Sequence, residues 1–242
     1  MSRFGRMDDD PERIVEQVAY DRGWAPEYDD WFFRRGPFNL GSEHRRCWID
    51  EIEQLRTALS LARPSGHVIE LACGTGLWTE RLIQYEDSVT AVDASPELIA
   101  LNQRRLRSGV VHYLVADLFD WQPNYYFDFV FFGFWLSHLT LSRFVSFLSM
   151  VARCFTLGGR VFFVDNRYQL DMTNPTSSTS EQDTSRSRRR LQDGREFEIV
   201  KIYYRPDELE SHLSALGWIV CVLQKISSCM VLCLLTVSVG DR

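Results

Sequence analysis

From His67 onward, short and almost wholly apolar runs alternate with amphipathic ones. His67–Leu71, Ser88–Asp93, Val111–Ala116, Phe127–Phe132 and Arg160–Asp165 have the length and apolar content of strands covered on both faces. Leu77–Gln84, Pro96–Arg107 and Leu141–Phe155 fill the gaps and read as helices. Ser95 suits an N-cap and Pro96 a first helical turn. Leu157-Gly158-Gly159 reads as a helix stop ahead of the fifth strand. A last helix opens at Pro206 and ends at Leu216-Gly217, and two closing strands follow at Trp218–Gln224 and Cys229–Val237. Strands alternating with helices predict an α/β fold with a parallel, doubly wound sheet.

The chain ahead of His67 follows a different pattern. Ser42 or Glu43 to Ala62 reads as a helix whose apolar side carries Trp48, Ile49, Ile52, Leu55, Leu59 and Leu61, broken by Pro64-Ser65-Gly66. Pro11–Arg22 reads as a short helix with Ile14, Val15, Val18 and Ala19 on one face. Tyr20, Trp24, Tyr28, Trp31, Phe32, Phe33 and Phe38 then crowd a segment punctuated by Gly23, Pro26, Gly36 and Pro37, which excludes long regular structure. Such a segment is expected to act as a lid; the alternative is an aromatic strap packed on the core. The chain thus divides into a lid and helix at 1–62 and a core at 63–242, with an insertion at 167–204. In that insertion Thr173–Ser180 reads as a loop, and Asp193-Gly194 as a hairpin turn between Arg188–Gln192 and Glu196–Tyr204. The basic run Arg186, Arg188, Arg189 and Arg190 reads as a solvated hairpin edge in preference to an anion contact.

Composition narrows the function. A net charge of −6 argues against a general nucleic-acid binder. Met7–Asp30 alone holds nine acids against Arg13 and Arg22. The six cysteines form no C-x-x-C pair and no zinc spacing, and no secretory signal precedes them, so reduced thiols in a cytoplasm and no metal are expected. Ile226–Val239 is apolar but shorter than a membrane span, and reads as a buried terminal strand.

The chemistry centres on Glu70-Leu71-Ala72-Cys73-Gly74-Thr75-Gly76, an acid and a glycine turn at the end of the first strand. A dinucleotide fingerprint would place a third small residue at Thr79, where bulky Trp78-Thr79 stands instead. Glu70 would repel a pyrophosphate and welcome an amine-bearing ligand. Asp93 ends the second strand, where a carboxylate can accept ribose hydroxyls. Asp117 ends the third.

The set E-L-A-C-G-T-G, V-D-A-S and A-D-L resembles the class I S-adenosylmethionine-dependent methyltransferases from roughly Val68 to Asp165. That resemblance implies a Rossmann-like, seven-stranded, mostly parallel sheet closed by an antiparallel strand pair. It implies that Glu70 faces the methionyl ammonium, that Gly74 and Gly76 let the cofactor approach the backbone, and that Asp93 holds the ribose. Asp117 and Leu118 would hold the adenine. Ala72, Trp78 and Ala94, their neighbours in the same motifs, join the cofactor-binding set, with Trp135 after the fourth strand.

Methyl transfer from a sulfonium mainly requires positioning and exclusion of water. Phe134 and Trp135 are expected to line the sulfonium and acceptor. His138 is the candidate general base, with helix capping as its alternative role, and Asp165 or Arg167 is placed to orient an acceptor. Tyr20, Trp24, Tyr28 and Trp31 are the candidates for closing over the site. The expected activity is methyl transfer to a small molecule, oxygen ahead of nitrogen or carbon, by a monomer or homodimer. The alternatives are an NAD-dependent oxidoreductase and a non-catalytic cofactor-binding protein.

Overall fold

A computed structural model describes residues 11–86, 88–166, 177–178, 186–225 and 230–237. The elements in chain order are α1 (Pro11–Trp24), α2 (Tyr28–Phe32), α3 (Ser42–Ala62), β1 (Val68–Leu71), α4 (Thr79–Leu82), β2 (Val89–Asp93) and α5 (Pro96–Leu106). Then come β3 (Val111–Val115), β4 (Phe127–Gly133), α6 (Leu141–Cys154), β5 (Phe155–Asn166) and β6 (Ser177–Ser178). The chain closes with β7 (Arg186–Arg190), β8 (Glu196–Val200), α7 (Pro206–Ala215), β9 (Trp218–Lys225) and β10 (Met230–Val237).

Seven strands form one sheet in the order β3-β2-β1-β4-β5-β10-β9, and β6, β7 and β8 form a second, smaller one. β1 to β5 are parallel, while β10 runs antiparallel to both β5 and β9. The doubly wound sheet and its antiparallel closing pair are therefore as expected. Every residue of β1 and β2 is buried, because helices cover both faces of the sheet. On one face Val130 and Phe132 pack with Phe144, Phe147 and Leu148 of α6. On the other, Phe129 and Phe131 pack with Trp48, Leu55 and Leu59 of α3. Register places Phe131 beside Phe162 and Phe132 beside Phe163, and both ring pairs stack, at 6.1 and 5.0 Å between centroids.

Several expectations are corrected. The Gly158-Gly159 pair does not separate helix from strand: β5 starts at Phe155, and Gly158, at φ +83°, lies within an irregularity in its pairing with β4. α3 buries Trp48, Ile52, Leu55, Leu59 and Ala62, but Ile49 and Leu61 are exposed. α4 is shorter than predicted, because turns occupy Gly74–Trp78 and follow Leu82. α1 leaves Val15 and Val18 exposed and buries Tyr20 instead. Tyr20 packs with Leu191 and Ile199, and beside it Glu16 and Gln17 side-chain oxygens accept from the backbone N–H groups of Glu198 and Val200, at 2.8 and 3.0 Å. α1 thereby covers an edge of β8 that a solvated hairpin would leave open.

Strand alternation splits the basic run, leaving Arg188 and Arg190 exposed while Ser187 and Arg189 are buried. Arg167, most of the predicted 173–180 loop and residues 226–229 lie outside the described residues. Among the described residues no helix is long and apolar enough to cross a membrane, and the apolar C-terminal run contributes strand β10.

Candidate active site

The chain winds outward from β1 through β2 to β3, then returns to place β4 on the other side of β1. The carboxyl ends of β1 and β4 therefore bound a crevice at the point where the winding reverses. Leu71 is level with Phe132. The glycine turn that leaves β1 consequently stands opposite Gly133 and Phe134 leaving β4. A cavity of about 470 Å³ opens here, of a size that holds a small organic molecule.

Of the predicted site residues, all but Gly76, Trp31 and Asp165 line this cavity, with Arg167 outside the described residues. Glu70, Ala72, Gly74 and Trp78 come from the end of β1 and its turn, Asp93 and Ala94 from β2, and Asp117 and Leu118 from the end of β3. Phe134, Trp135 and His138 come from the turn after β4, and Tyr20, Trp24 and Tyr28 from the N-terminal cover. Trp31 supports the cover from behind: its ring meets Trp48 at 5.4 Å and Phe134 at 5.8 Å, edge to face.

The two glycines serve different ends. Gly74 has φ +54°, and a Cβ there would meet nothing within 4 Å, so its open side faces the cavity. Gly76, at φ +89°, presses against the Asn102 amide of α5. Ala72 and Phe134 adopt positive φ as well, at +54° and +57°, without being glycine. Left-handed backbone at a bulky residue carries strain that the surroundings must hold in place. For Phe134 that support is its N–H, which donates to Val164 O at 2.8 Å, and the Trp31 ring.

Three of the acids here are forced into little solvent. Asp93 accepts from Gly74 N and Ser95 N, both at 2.9 Å. Burial outweighs those bonds and raises its pKa. Glu70 is 2 % exposed and accepts from Thr79 Oγ1 at 2.5 Å. Burial, with the Asp93 charge adding to it, pushes the Glu70 pKa up to about 8. Asp21, on α1, was not singled out by sequence reasoning, yet it lines the cavity, and burial raises its pKa to about 7. Asp117 is exposed, and its Oδ1 accepts from Phe119 N at 2.9 Å. Acids crowded in low-dielectric surroundings resist ionising together, and a cationic ligand relieves that conflict.

This has a measurable consequence. Folded Glu70 keeps its proton to about pH 8, against an ordinary value of 4.5. Between those limits the folded state binds more protons than the unfolded one, so stability is lost as pH rises. In the ligand-free protein, Glu70→Gln is expected to flatten the fall in melting temperature between about pH 5 and pH 8. A slope identical to that of the unsubstituted protein would show that Glu70 ionises normally.

His138 sits in a 3-10 turn, Leu136–His138, and does not cap α6; Thr140 does, accepting from Arg143 N at 3.4 Å. Its ring nitrogens are both approached: Nε2 lies 3.1 Å from Lys201 Nζ and Nδ1 lies 3.4 Å from Gln17 Nε2. Burial, with Lys201 and Arg189 nearby, lowers the His138 pKa well below 6.5, so the ring is neutral at pH 7. Lys201 also donates to Ser137 Oγ at 2.7 Å, and Ser137 donates through N and Oγ to Asp165, at 2.9 and 2.7 Å. Asp165 therefore orients the turn after β4. Lys201 had no sequence motif to announce it; it reaches the site only because β8 and the chain leaving it pack there.

Asp29, in α2, ties the cover to the glycine turn. It accepts from Thr75 Oγ1 at 2.8 Å and pairs with Arg105 of α5, which in turn donates to Thr75 O at 2.8 Å.

The residues fit a nucleoside-bearing sulfonium. Gly74 leaves an open cradle, the acids favour positive charge, and Trp135 Nε1 is buried in the cavity wall with no hydrogen-bond partner among the described residues. A family model described as a methyltransferase domain matches residues 68–159. The solved structure of a DhpI-SAH complex is 33% identical, with a TM-score of 0.72, over 94% of this chain and 98% of that one. A DhpI-SAM-HEP complex is 32% identical, with a TM-score of 0.74, over 93% of this chain and 97% of that one. Nodulation protein S of Sinorhizobium fredii is 30% identical over 79 residues, a match that spans 32% of this chain and 36% of that protein. With the acids and the glycine turn gathered at one crevice, a relative aligned over nearly its whole length and the matching methyltransferase domain leave one assignment: the chain belongs to the class I S-adenosylmethionine-dependent methyltransferases.

Proposed function

We propose that this methyltransferase moves the methyl group of S-adenosylmethionine to an oxygen of a small molecule. The acceptor would lie between the aromatic cover of Tyr20, Trp24 and Tyr28 and the turn bearing Phe134, Trp135 and His138. Asp93 would take the ribose, Glu70 the methionyl ammonium, Asp117 and Leu118 the adenine, with Ala72, Gly74, Trp78 and Ala94 shaping the pocket wall. Gly76 supports that wall from behind, as Trp31 supports the cover. The net charge of −6 opposes a polyanionic substrate, and the reading places the enzyme in a cytoplasm.

The observation that carries the choice of oxygen is the buried cation beside His138. Lys201 is 5 % exposed, and Arg189, equally buried, adds its charge. Positive charge at that end repels a protonated amine and stabilises an oxygen as its proton leaves. Lys201 as an ammonium only donates, so it occupies the Nε2 lone pair and leaves the imidazole proton on Nδ1. Nδ1 is the looser of the two contacts, and an acceptor oxygen that displaces Gln17 would meet it. His138 Nδ1–H then fixes the acceptor oxygen in line with the methyl group, and once Lys201 moves off Nε2 and the ring proton shifts there, the freed Nδ1 takes up the acceptor's proton.

The test is incubation with methyl-¹³C-labelled S-adenosylmethionine and a fractionated small-molecule extract, read by carbon NMR. An O-methyl resonance is expected, and His138→Ala should lower its rate of appearance tenfold or more without weakening cofactor binding. An N-methyl product would overturn the choice of oxygen.

A further inference from the structure

Asp21 stands apart from the acids of the strand ends. It belongs to the cover, lines the cavity with Asp93, and the two carboxylates are close enough to raise the Asp21 pKa. Only one of its oxygens has a partner among the described residues: Gln17 Nε2 donates to Oδ1 at 3.1 Å. Oδ2 has none. The helix that carries it is not free to swing, since Glu16 and Gln17 hold β8 backbone, and Tyr20 stacks on Trp24 at 5.8 Å and meets Phe197 edge to face at 5.8 Å. A carboxylate with an open oxygen is thus held against the pocket that Asp93, at the end of β2, also lines.

Two carboxylates that line one pocket and feel each other's charge are unfavourable unless something that donates hydrogen bonds lies there. The ribose of S-adenosylmethionine offers two hydroxyl donors. We propose that Asp21 is a second ribose-binding carboxylate, contributed by the cover, so that Asp93 and Asp21 grip the cofactor from the sheet side and the helix side. This rests on the assignment of Asp93 to the ribose. The raised Asp21 pKa agrees with a group that lacks its partner until ligand arrives.

One consequence is that α1 belongs to the donor site as well as to the acceptor site. The cover reaches the nucleoside directly, so its part in donor binding does not depend on the acceptor.

The experiment is calorimetric titration at pH 8 with two probes, S-adenosylhomocysteine and 5′-methylthioadenosine, which keeps the ribose and adenine and lacks the amino-acid end. Asp21→Asn is expected to weaken both by tenfold or more, by the same factor. Its ligand-free melting temperature should be unchanged or raised, since a crowded, partly buried carboxylate has been removed; that separates lost binding from lost folding. Affinity for 5′-methylthioadenosine within twofold of the unsubstituted protein would overturn the proposal. So would a loss confined to S-adenosylhomocysteine, which would put Asp21 at the methionyl end. Asp93→Ala is titrated alongside. If it leaves 5′-methylthioadenosine binding intact, the ribose assignment itself falls, and the Asp21 proposal falls with it. If it weakens binding while Asp21→Asn does not, only Asp21 is removed from the site.

Discussion

Asp93→Ala is expected to weaken S-adenosylhomocysteine binding by roughly ten- to a hundredfold, the equivalent of about 1–3 kcal/mol of lost hydrogen bonding. Two effects act together. The ribose loses its carboxylate, and the Gly74 and Ser95 N–H groups lose the oxygens that hold them at 2.9 Å. The second effect matters because Gly74 carries the cradle and Ser95 begins α5, whose first turn it caps by accepting from Leu98 N at 3.2 Å. Asp93→Asn keeps one carbonyl oxygen and is expected to fall between the two. Stability should respond less than affinity, because removing a carboxylate with a raised pKa offsets part of the loss. Calorimetric titration reads the affinity, and an unchanged dissociation constant in the alanine variant would take Asp93 out of the cofactor site.

Gly76→Ala should strike folding first. A Cβ at Gly76 overlaps the Asn102 side chain, and the backbone there has φ +89°. Strained backbone and overpacking together are expected to cost roughly 2–5 kcal/mol. Asn102 has little room to retreat, being fully buried between two hydrogen bonds. Its Oδ1 accepts from the Tyr113 hydroxyl at 2.9 Å and its Nδ2 donates to Thr79 Oγ1 at 2.9 Å. Thr79 is the donor to Glu70. A side chain at position 76 therefore disturbs Glu70 through two intermediaries, although Gly76 does not line the cavity. Urea unfolding should show an earlier midpoint, and cofactor affinity should fall in the protein that remains folded. If midpoint and affinity both stay put, neither Asn102 nor the backbone conformation requires glycine at position 76.

The parts of this site that were legible in the sequence are local. Glu70, the glycine turn, Asp93 and Asp117 each follow an apolar run within a few residues, and strand polarity alone puts them on one edge of a parallel sheet. The Ser95 cap needs only its own helix. What the sequence withheld depends on packing between distant segments. The periodicity of Val15 and Val18 does not orient α1, because the helix docks on the β8 hairpin through the side-chain oxygens of Glu16 and Gln17 and through Tyr20 and Trp24, which pack with Leu191, Ile199 and Phe197. Asp21 and Lys201 are single polar residues without a motif around them. Each becomes part of the site only when α1 and the segment after β8 meet over the crevice. Gly158-Gly159 misled for a related reason: a glycine pair that ends a helix and one that allows an irregularity inside a strand look alike until the partner strand is known.

The order of strands also bears on how the chain is made. β10, residues 230–237, lies between β5 and β9 and pairs with both. Until it has been synthesised, β5 keeps an open edge rich in phenylalanine and valine, and β9 has no place in the sheet. A nascent chain that has completed the glycine turn and all three acids still exposes a pairing edge to other chains. Soluble yield from successive C-terminal truncations should therefore drop at β10 as a step, and a chaperone that shields β5 during synthesis would act on this edge.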